Sequence, residues 1–226
     1  MKNLFIVYGS ETKLLKNLFN FEKSHFIKIY NKRIPTKQKN VYSTRSFKDF
    51  KKIFSMLVDK NNYESIIFIG AAFVSQKNLF LLEEKEKIDE MVEVNIKNYI
   101  NYTYYILPQM KKIKSGHFIY LSSFRSNHSS RGISLYSASK AFGEKFFEVL
   151  GKENGVFGIY STSIRMGYFE GRMTNIFPPK KIKEFELSIG NRRLGNQKDL
   201  ISCIRFILQN PYTNGGVIDL SGGISF

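Results

Sequence analysis

Tyr136 and Lys140 stand four residues apart in the run LYSASKAFGEKFF, a spacing that places both side chains on one face of a helix and within reach of each other. A phenol beside an ammonium makes a general acid. Tyrosine titrates near pKa ~10 in water, and a fixed positive neighbour stabilises its phenolate and moves that value toward neutral. Such a pair exchanges a proton with a substrate hydroxyl or carbonyl. Ser123 closes the run GHFIYLSS upstream. At the carboxyl end of a parallel strand, where open α/β sheets place their ligands, its hydroxyl is able to donate to a carbonyl oxygen. Taken singly, each residue has a plainer reading: Tyr-x-x-x-Lys pairs are common on solvated helix faces, and a serine after a strand usually caps a turn.

Bringing these groups together requires a scaffold, and the sequence supplies its pattern. Apolar runs alternate between short strand-like blocks and longer stretches of helical period, as in a parallel sheet covered on both faces. Seven strands are expected, at Asn3 to Tyr8, His25 to Tyr30, Asn40 to Ser43, Ser65 to Gly70, Gly116 to Ser122, Phe157 to Arg165 and Gly216 to Leu220. Phe47, Phe50, Ile53, Phe54, Leu57 and Val58 recur at three- and four-residue spacing between polar residues, which predicts an amphipathic helix. One long helix is expected over Glu86 to Lys112, with Pro108 in its last turns, and another over Leu135 to Lys152. From Met166 to Gly195 the rhythm breaks at Pro178 and Pro179, so a loop with a short helix is expected. Its Phe169, Phe177 and Phe185 either line an apolar pocket or pack as core. The fold expected is a Rossmann-like doubly wound α/β sheet of about seven parallel strands with helices on both faces, a single domain over residues 1–226.

A formal charge of +16 attracts polyanions. The lysines are nevertheless scattered over the whole length without a compact basic block, so a solvated basic surface is expected and no specific nucleic-acid partner. With one cysteine, Cys203, an intrachain disulfide is impossible, which fits a reducing compartment. No segment reaches the roughly 18 apolar residues of a membrane span. A soluble, cytoplasmic protein without membrane attachment or a metal site is the expectation.

The stretch from Gly116 to Lys140, with its YLSS and YSASK, resembles the short-chain dehydrogenase/reductase family, whose members reduce carbonyls with NAD(P)H. Several ordered motifs carry the resemblance along nearly the whole chain. VEVNIKN is similar to the helix bearing the family's catalytic Asn, which falls on Asn95, and GNRRLGNQKDLISCIRFIL with GGVIDLSGGISF is similar to its C-terminal third. The resemblance is strongest to small reductases typified by 3-oxoacyl-carrier-protein reductase. It implies that Tyr136 protonates the carbonyl oxygen while Ser123 stabilises the developing oxyanion. It also implies that Lys140 lowers the Tyr136 pKa and holds the nicotinamide ribose, and that Asn95 keeps a water for a proton relay. The plainer reading of Asn95 is a buried amide satisfied by neighbouring backbone.

The dinucleotide half departs from the family pattern. The glycine-rich turn is represented by Tyr8, Gly9, Ser10, Glu11, Thr12, Lys13, Leu14 and Leu15, in which only Gly9 remains of the glycines. The residues after the fourth strand are Ile69, Gly70, Ala71 and Ala72, and Met166 and Gly167 replace a Pro-Gly pair beside the nicotinamide. The cofactor is expected at Gly9, Ser10, Leu14, Gly70, Ala71, Met166 and Gly167, together with Tyr136 and Lys140. Lys32 and Arg33 follow the second strand, where no carboxylate is available for a ribose hydroxyl; this favours NADPH (NADP) over NADH. The expected substrate is a small carbonyl compound, an acyl thioester or a nucleotide-linked keto sugar. The alternative is a cofactor-poor relative that binds a ligand or partner without turnover. A homodimer or homotetramer is expected, because Ile96, Tyr99, Ile100, Thr103, Tyr104 and Leu107 on one helix and Phe142, Phe146, Phe147, Val149 and Leu150 on the other form broad apolar arcs.

Overall fold

The computed structural model describes residues 2–9, 14–15, 24–30, 40–76, 78–128, 130–171 and 174–224. Seven strands form one sheet: β1 (Asn3–Tyr8), β2 (His25–Ile29), β3 (Val41–Thr44), β4 (Ser65–Gly70), β5 (Gly116–Ser123), β6 (Ile159–Met166) and β7 (Val217–Leu220). Their spatial order is β3-β2-β1-β4-β5-β6-β7 and every neighbouring pair is parallel. The order reverses between β1 and β4, and the crevice beyond the carboxyl ends of these strands is where doubly wound sheets bind ligands.

Alternation along the strands divides the core into two layers. Leu4, Ile6 and Tyr8 of β1 pack with Phe68, Phe118 and Tyr120 under the helices on one face, while Phe5 and Val7 join Ile67, Ile69, Ile119 and Ile164 on the other. Successive strand side chains point to opposite faces, so a strand buried on both sides reads as a nearly continuous apolar run.

Helix α1 (Phe47–Lys60) starts at Ser46, whose hydroxyl accepts from the Asp49 backbone amide at 3.0 Å, and it buries Phe50, Phe54 and Leu57. The long helix expected over Glu86 to Lys112 is not uniform. It consists of α2 (Lys85–Val92), a π turn over Glu93–Lys97 and α3 (Asn98–Ile113). In the π turn the Asn98 amide donates to the Glu93 carbonyl five residues back, and this wider turn carries Asn95. Helix α4 (Ser134–Asn154) carries Tyr136 and Lys140. Within the irregular stretch, α5 (Pro179–Leu187) begins at a proline, which tolerates the first turn because its missing N–H would have no helical partner there. A reciprocal capping box between Asn196 and Asp199 starts α6 (Gln197–Gln209), which covers the second face with Leu200, Cys203, Ile204 and Ile207.

The apolar arcs separate into core and surface. Tyr99, Phe147 and Leu150 are buried in the first layer, so they are not interface candidates, whereas Tyr104 is 81% exposed and Ile100 and Val149 are exposed beside it in type. Phe169 packs as core; Phe177 is exposed and meets the Phe185 ring edge-on. Among the described residues no helix is long and apolar enough to cross a membrane.

Candidate active site

The β5 strand delivers Ser123 to the carboxyl edge of the sheet, and a 3-10 turn over Phe124–Ser126 follows at once. The Ser123 Oγ accepts the Arg125 backbone N–H at 3.2 Å, so it does cap that turn. This leaves its own proton free to donate, and the hydroxyl draws the Tyr136 phenol pKa down. The capping reading of Ser123 therefore holds, and its hydroxyl keeps a proton to donate.

Tyr136 lies in the first turn of α4 and is buried, its ring edge-on to Phe73. Burial pushes its pKa up, opposed by the Ser123 hydrogen bond and by the positive charge of Arg125. The sequence predicted the opposite direction, with Lys140 as the cause. Instead, Lys140 Nζ donates to the Leu121 carbonyl at 2.8 Å and stands 6.0 Å from the Tyr136 ring centroid. Desolvation lowers the Lys140 pKa to about 7, partly offset by the Glu144 charge. With its ammonium surrounded by the Tyr120 and Phe73 rings at 5.0 and 5.3 Å, Lys140 loses part of the charge needed to draw the phenol down.

Asn95 is wholly buried on the π turn. Its Oδ1 accepts the Val74 N–H at 2.7 Å, and its Nδ2 donates to the Val74 carbonyl at 2.9 Å and the Ser139 Oγ at 3.1 Å. Ser139 in turn donates to the Tyr136 carbonyl at 2.7 Å. The amide is thus satisfied by neighbours, as in its plainer reading, and it ties the loop after β4 to the helix turn bearing Tyr136. Gln76 assists from the same loop by accepting the Leu135 N–H at 2.9 Å.

The expected cofactor residues fall into distinct groups. Gly9 has φ +84°, and a Cβ there would lie 2.3 Å from the Ala72 backbone N, so both its conformation and the close approach of β1 to the loop after β4 require glycine. Gly70 ends β4 against the Tyr99 ring, and Ala71 donates its N–H to the Tyr8 carbonyl at 2.8 Å. All three lie at the reversal of strand order. Met166 and Gly167 lie at the end of β6, Gly167 so close to Ser221 that a Cβ would meet its Cα at 2.8 Å. Leu14 packs partly buried against the second layer, with its carbonyl accepting from Gln197 at 3.3 Å, and Leu15 is fully buried in that layer. Ser10, Lys13, Lys32 and Arg33 lie outside the described residues.

Four charged residues of this end of the sheet carry no signal strong enough to single them out in the sequence. Glu144 stands one turn beyond Lys140, and its carboxylate accepts from Ser122 Oγ at 2.5 Å, Ser126 Oγ at 2.6 Å and the Arg165 guanidinium at 2.8 Å. Arg165 also reaches Asp219 at 3.1 Å. The i, i+4, i+8 series Tyr136, Lys140, Glu144 was the available signal. Arg125, two residues past Ser123, gives its side chain to Ser130 Oγ and, at 3.1 Å, to the Tyr168 hydroxyl.

Residues 41–181 match the sequence profile of a family described as short chain dehydrogenase. The match opens at β3, beyond the glycine-poor turn. A 3-oxoacyl-[acyl-carrier-protein] reductase of Thermotoga maritima is 27% identical over 161 residues, covering 70% of this chain and 65% of that relative's length. Two solved structures share the fold throughout. One, ElxO with NADP bound, superposes with TM-score 0.83 at 17% identity over 98% of both chains. The other, 4-hydroxyisoleucine dehydrogenase complexed with NADH, gives TM-score 0.81 at 17% identity over 99% of this chain and 98% of the other. The profile match over well over half of the sequence, on a doubly wound sheet with Ser123 at its carboxyl edge and Tyr136 in the first turn of α4, places the chain in the short chain dehydrogenase family.

Proposed function

We propose that this single-domain protein is an NAD(P)H-dependent reductase of a small carbonyl compound, working through Ser123, Tyr136 and Lys140. The observation that carries this reading is the placement of Ser123 at the carboxyl end of β5 and of Tyr136 in the first turn of α4, where the Ser123 hydroxyl acts on the phenol, with Lys140 buried one helical turn on. Burial keeps the phenol protonated at neutral pH, the form that a proton donor in carbonyl reduction must have.

A nicotinamide cofactor fits the residues present. Lys140 has three N–H donors, of which one meets a protein acceptor among the described residues; the others suit ribose hydroxyls. Gly9, Gly70 and Ala71 lie at the reversal of strand order, where doubly wound sheets bind ligands, and Met166 and Gly167 lie at the end of β6. When bound, the cofactor supplies the hydride. Tyr136 delivers its proton to the carbonyl oxygen, and the Ser123 O–H donates to the same oxygen as negative charge develops. The Ser123 hydroxyl is held for this by the Arg125 backbone N–H. Asn95 acts at one remove, by fixing the turn that carries Tyr136.

ElxO carries NADP and 4-hydroxyisoleucine dehydrogenase carries NADH, so the family neighbours accommodate both; Lys32 and Arg33 in the sequence support NADPH here. The 3-oxoacyl-carrier-protein reductase relative supports an acyl thioester as substrate, with a nucleotide-linked keto sugar as the other class. The buried position of Leu15 where the family has glycine favours the second reading, a non-catalytic binding protein. Titration with NADPH and NADH, followed by turnover on a carbonyl panel, separates the two: the reductase binds nucleotide and oxidises it only when a carbonyl is added, whereas a protein that binds neither nucleotide at millimolar concentration is not a reductase.

A further inference from the structure

We propose that Arg125 is the anion-recognition residue of the substrate site, and that the compound reduced is an oxo acid whose carboxylate seats on this guanidinium. The inference rests on the reductase reading above and puts a carboxylate-bearing oxo acid in place of the acyl thioester and keto sugar as substrate class.

Arg125 sits two residues past Ser123, its backbone N–H on the Ser123 Oγ. Its guanidinium lies over the Phe124 ring at 4.5 Å and bonds the hydroxyls of Ser130 and Tyr168. Tyr168 in turn stacks on Phe185 of α5 at 4.2 Å, which sets the guanidinium between the turn bearing Ser123 and the segment that follows β6. Its charge is felt at the Tyr136 phenol.

Both side-chain partners are neutral hydroxyls, and among the described residues Arg125 forms no ion pair. Of five N–H donors, two are engaged. The neighbouring cations differ: Arg165 is neutralised by Glu144 and Asp219, and Lys181 by Glu184. One uncompensated, half-buried guanidinium beside the reacting groups matches a monoanion, and its planar fork matches a carboxylate with two parallel hydrogen bonds. Held over an aromatic ring and on two hydroxyls, the fork is oriented before the anion arrives, which limits the entropy lost on binding.

The test compares acetoacetate and levulinate with their methyl esters, using the unmutated protein, Arg125→Gln and Arg125→Lys. The expected result is kcat/KM at least about tenfold higher for each acid than for its ester, the size of effect a charge-assisted hydrogen bond produces. That ratio falls toward one in Arg125→Gln through KM rather than kcat, and stays intermediate in Arg125→Lys, which keeps charge but not the fork. An unchanged ratio in Arg125→Gln, or an ester preference in the unmutated protein, overturns the proposal. If neither acid nor ester is turned over, calorimetric binding of acetoacetate and its ester in the presence of NADPH decides. Acid-selective binding lost in Arg125→Gln upholds Arg125 while the reductase reading falls, and absence of acid-selective binding overturns Arg125 itself.

Discussion

The Lys140 ammonium and the Leu121 carbonyl are 2.8 Å apart, so the lysine is anchored to the strand beneath it rather than to the phenol one turn away. An amine held in this buried place protonates reluctantly, and its pKa is lowered to about 7 by desolvation. Between pH about 7 and about 10 the unfolded chain holds a proton that the folded chain has lost, so this group makes stability rise with pH across that window. Below about 7 both states are protonated and the full cost of the buried charge is present. Lys140→Met should therefore be more thermostable than the parent near pH 6, by about 2–4 °C for each kcal/mol of relieved burial cost. Melting curves at a series of pH values check this: the gap should narrow as pH rises through the window, and a gap that widens contradicts it.

Asn95 to Ala leaves the Val74 N–H and carbonyl without their partner and removes the Nδ2 donor from the Ser139 hydroxyl, which keeps the Tyr136 carbonyl. Unsatisfied buried groups of this kind cost about 1–3 kcal/mol each, so a loss of about 2–4 kcal/mol is expected after relaxation. Denaturant unfolding measures it. A change below about 1 kcal/mol would mean that the tie between the loop after β4 and α4 has little weight.

The Glu144–Arg165 pair is shielded, with side chains 11% and 15% exposed, and should behave as a buried pair. Glu144→Gln or Arg165→Met alone should cost about 3 kcal/mol, whereas Glu144→Leu with Arg165→Met should cost much less than the sum. The double-mutant cycle from unfolding curves is the measurement, and strict additivity would show the two to be uncoupled.

Much of this was legible in the sequence for a physical reason. Strands buried on both faces read as nearly continuous apolar runs, so β1, β4 and β5 read directly from NLFIVY, SIIFIG and GHFIYLSS. The helical spacing of Tyr136 and Lys140 likewise put them on one turn. Direction of charge effects was not legible: whether Lys140 acts on Tyr136 depends on the Leu121 carbonyl, which is distant in sequence and near only in the fold. The π turn at Asn95 adds no distinctive residue pattern to a helical stretch. Arg125 reads in the sequence as one more cation of a lysine-rich chain, and only the fold gives it hydroxyls rather than carboxylates as side-chain partners.

Self-association is expected through α3 and α4, where Ile100, Tyr104 and Val149 remain exposed. Light scattering at micromolar concentration should return a multiple of the 26.3 kDa chain mass, two or four, and Tyr104→Glu should lower it. Phe147 is unsuitable for this test because it is part of the core. A mass of one chain would reject the expectation.

The reductase reading stands or falls on the transferable proton of Tyr136. Oxidation of NADPH should be followed with the carbonyl panel in the unmutated protein and in Tyr136→Phe, with nucleotide affinity measured alongside. Removing the phenolic hydroxyl should lower turnover by about a hundredfold or more, the range expected for loss of a positioned general acid, while nucleotide affinity and melting temperature stay close to those of the parent. Turnover retained in Tyr136→Phe would contradict the assignment of Tyr136 as the proton donor.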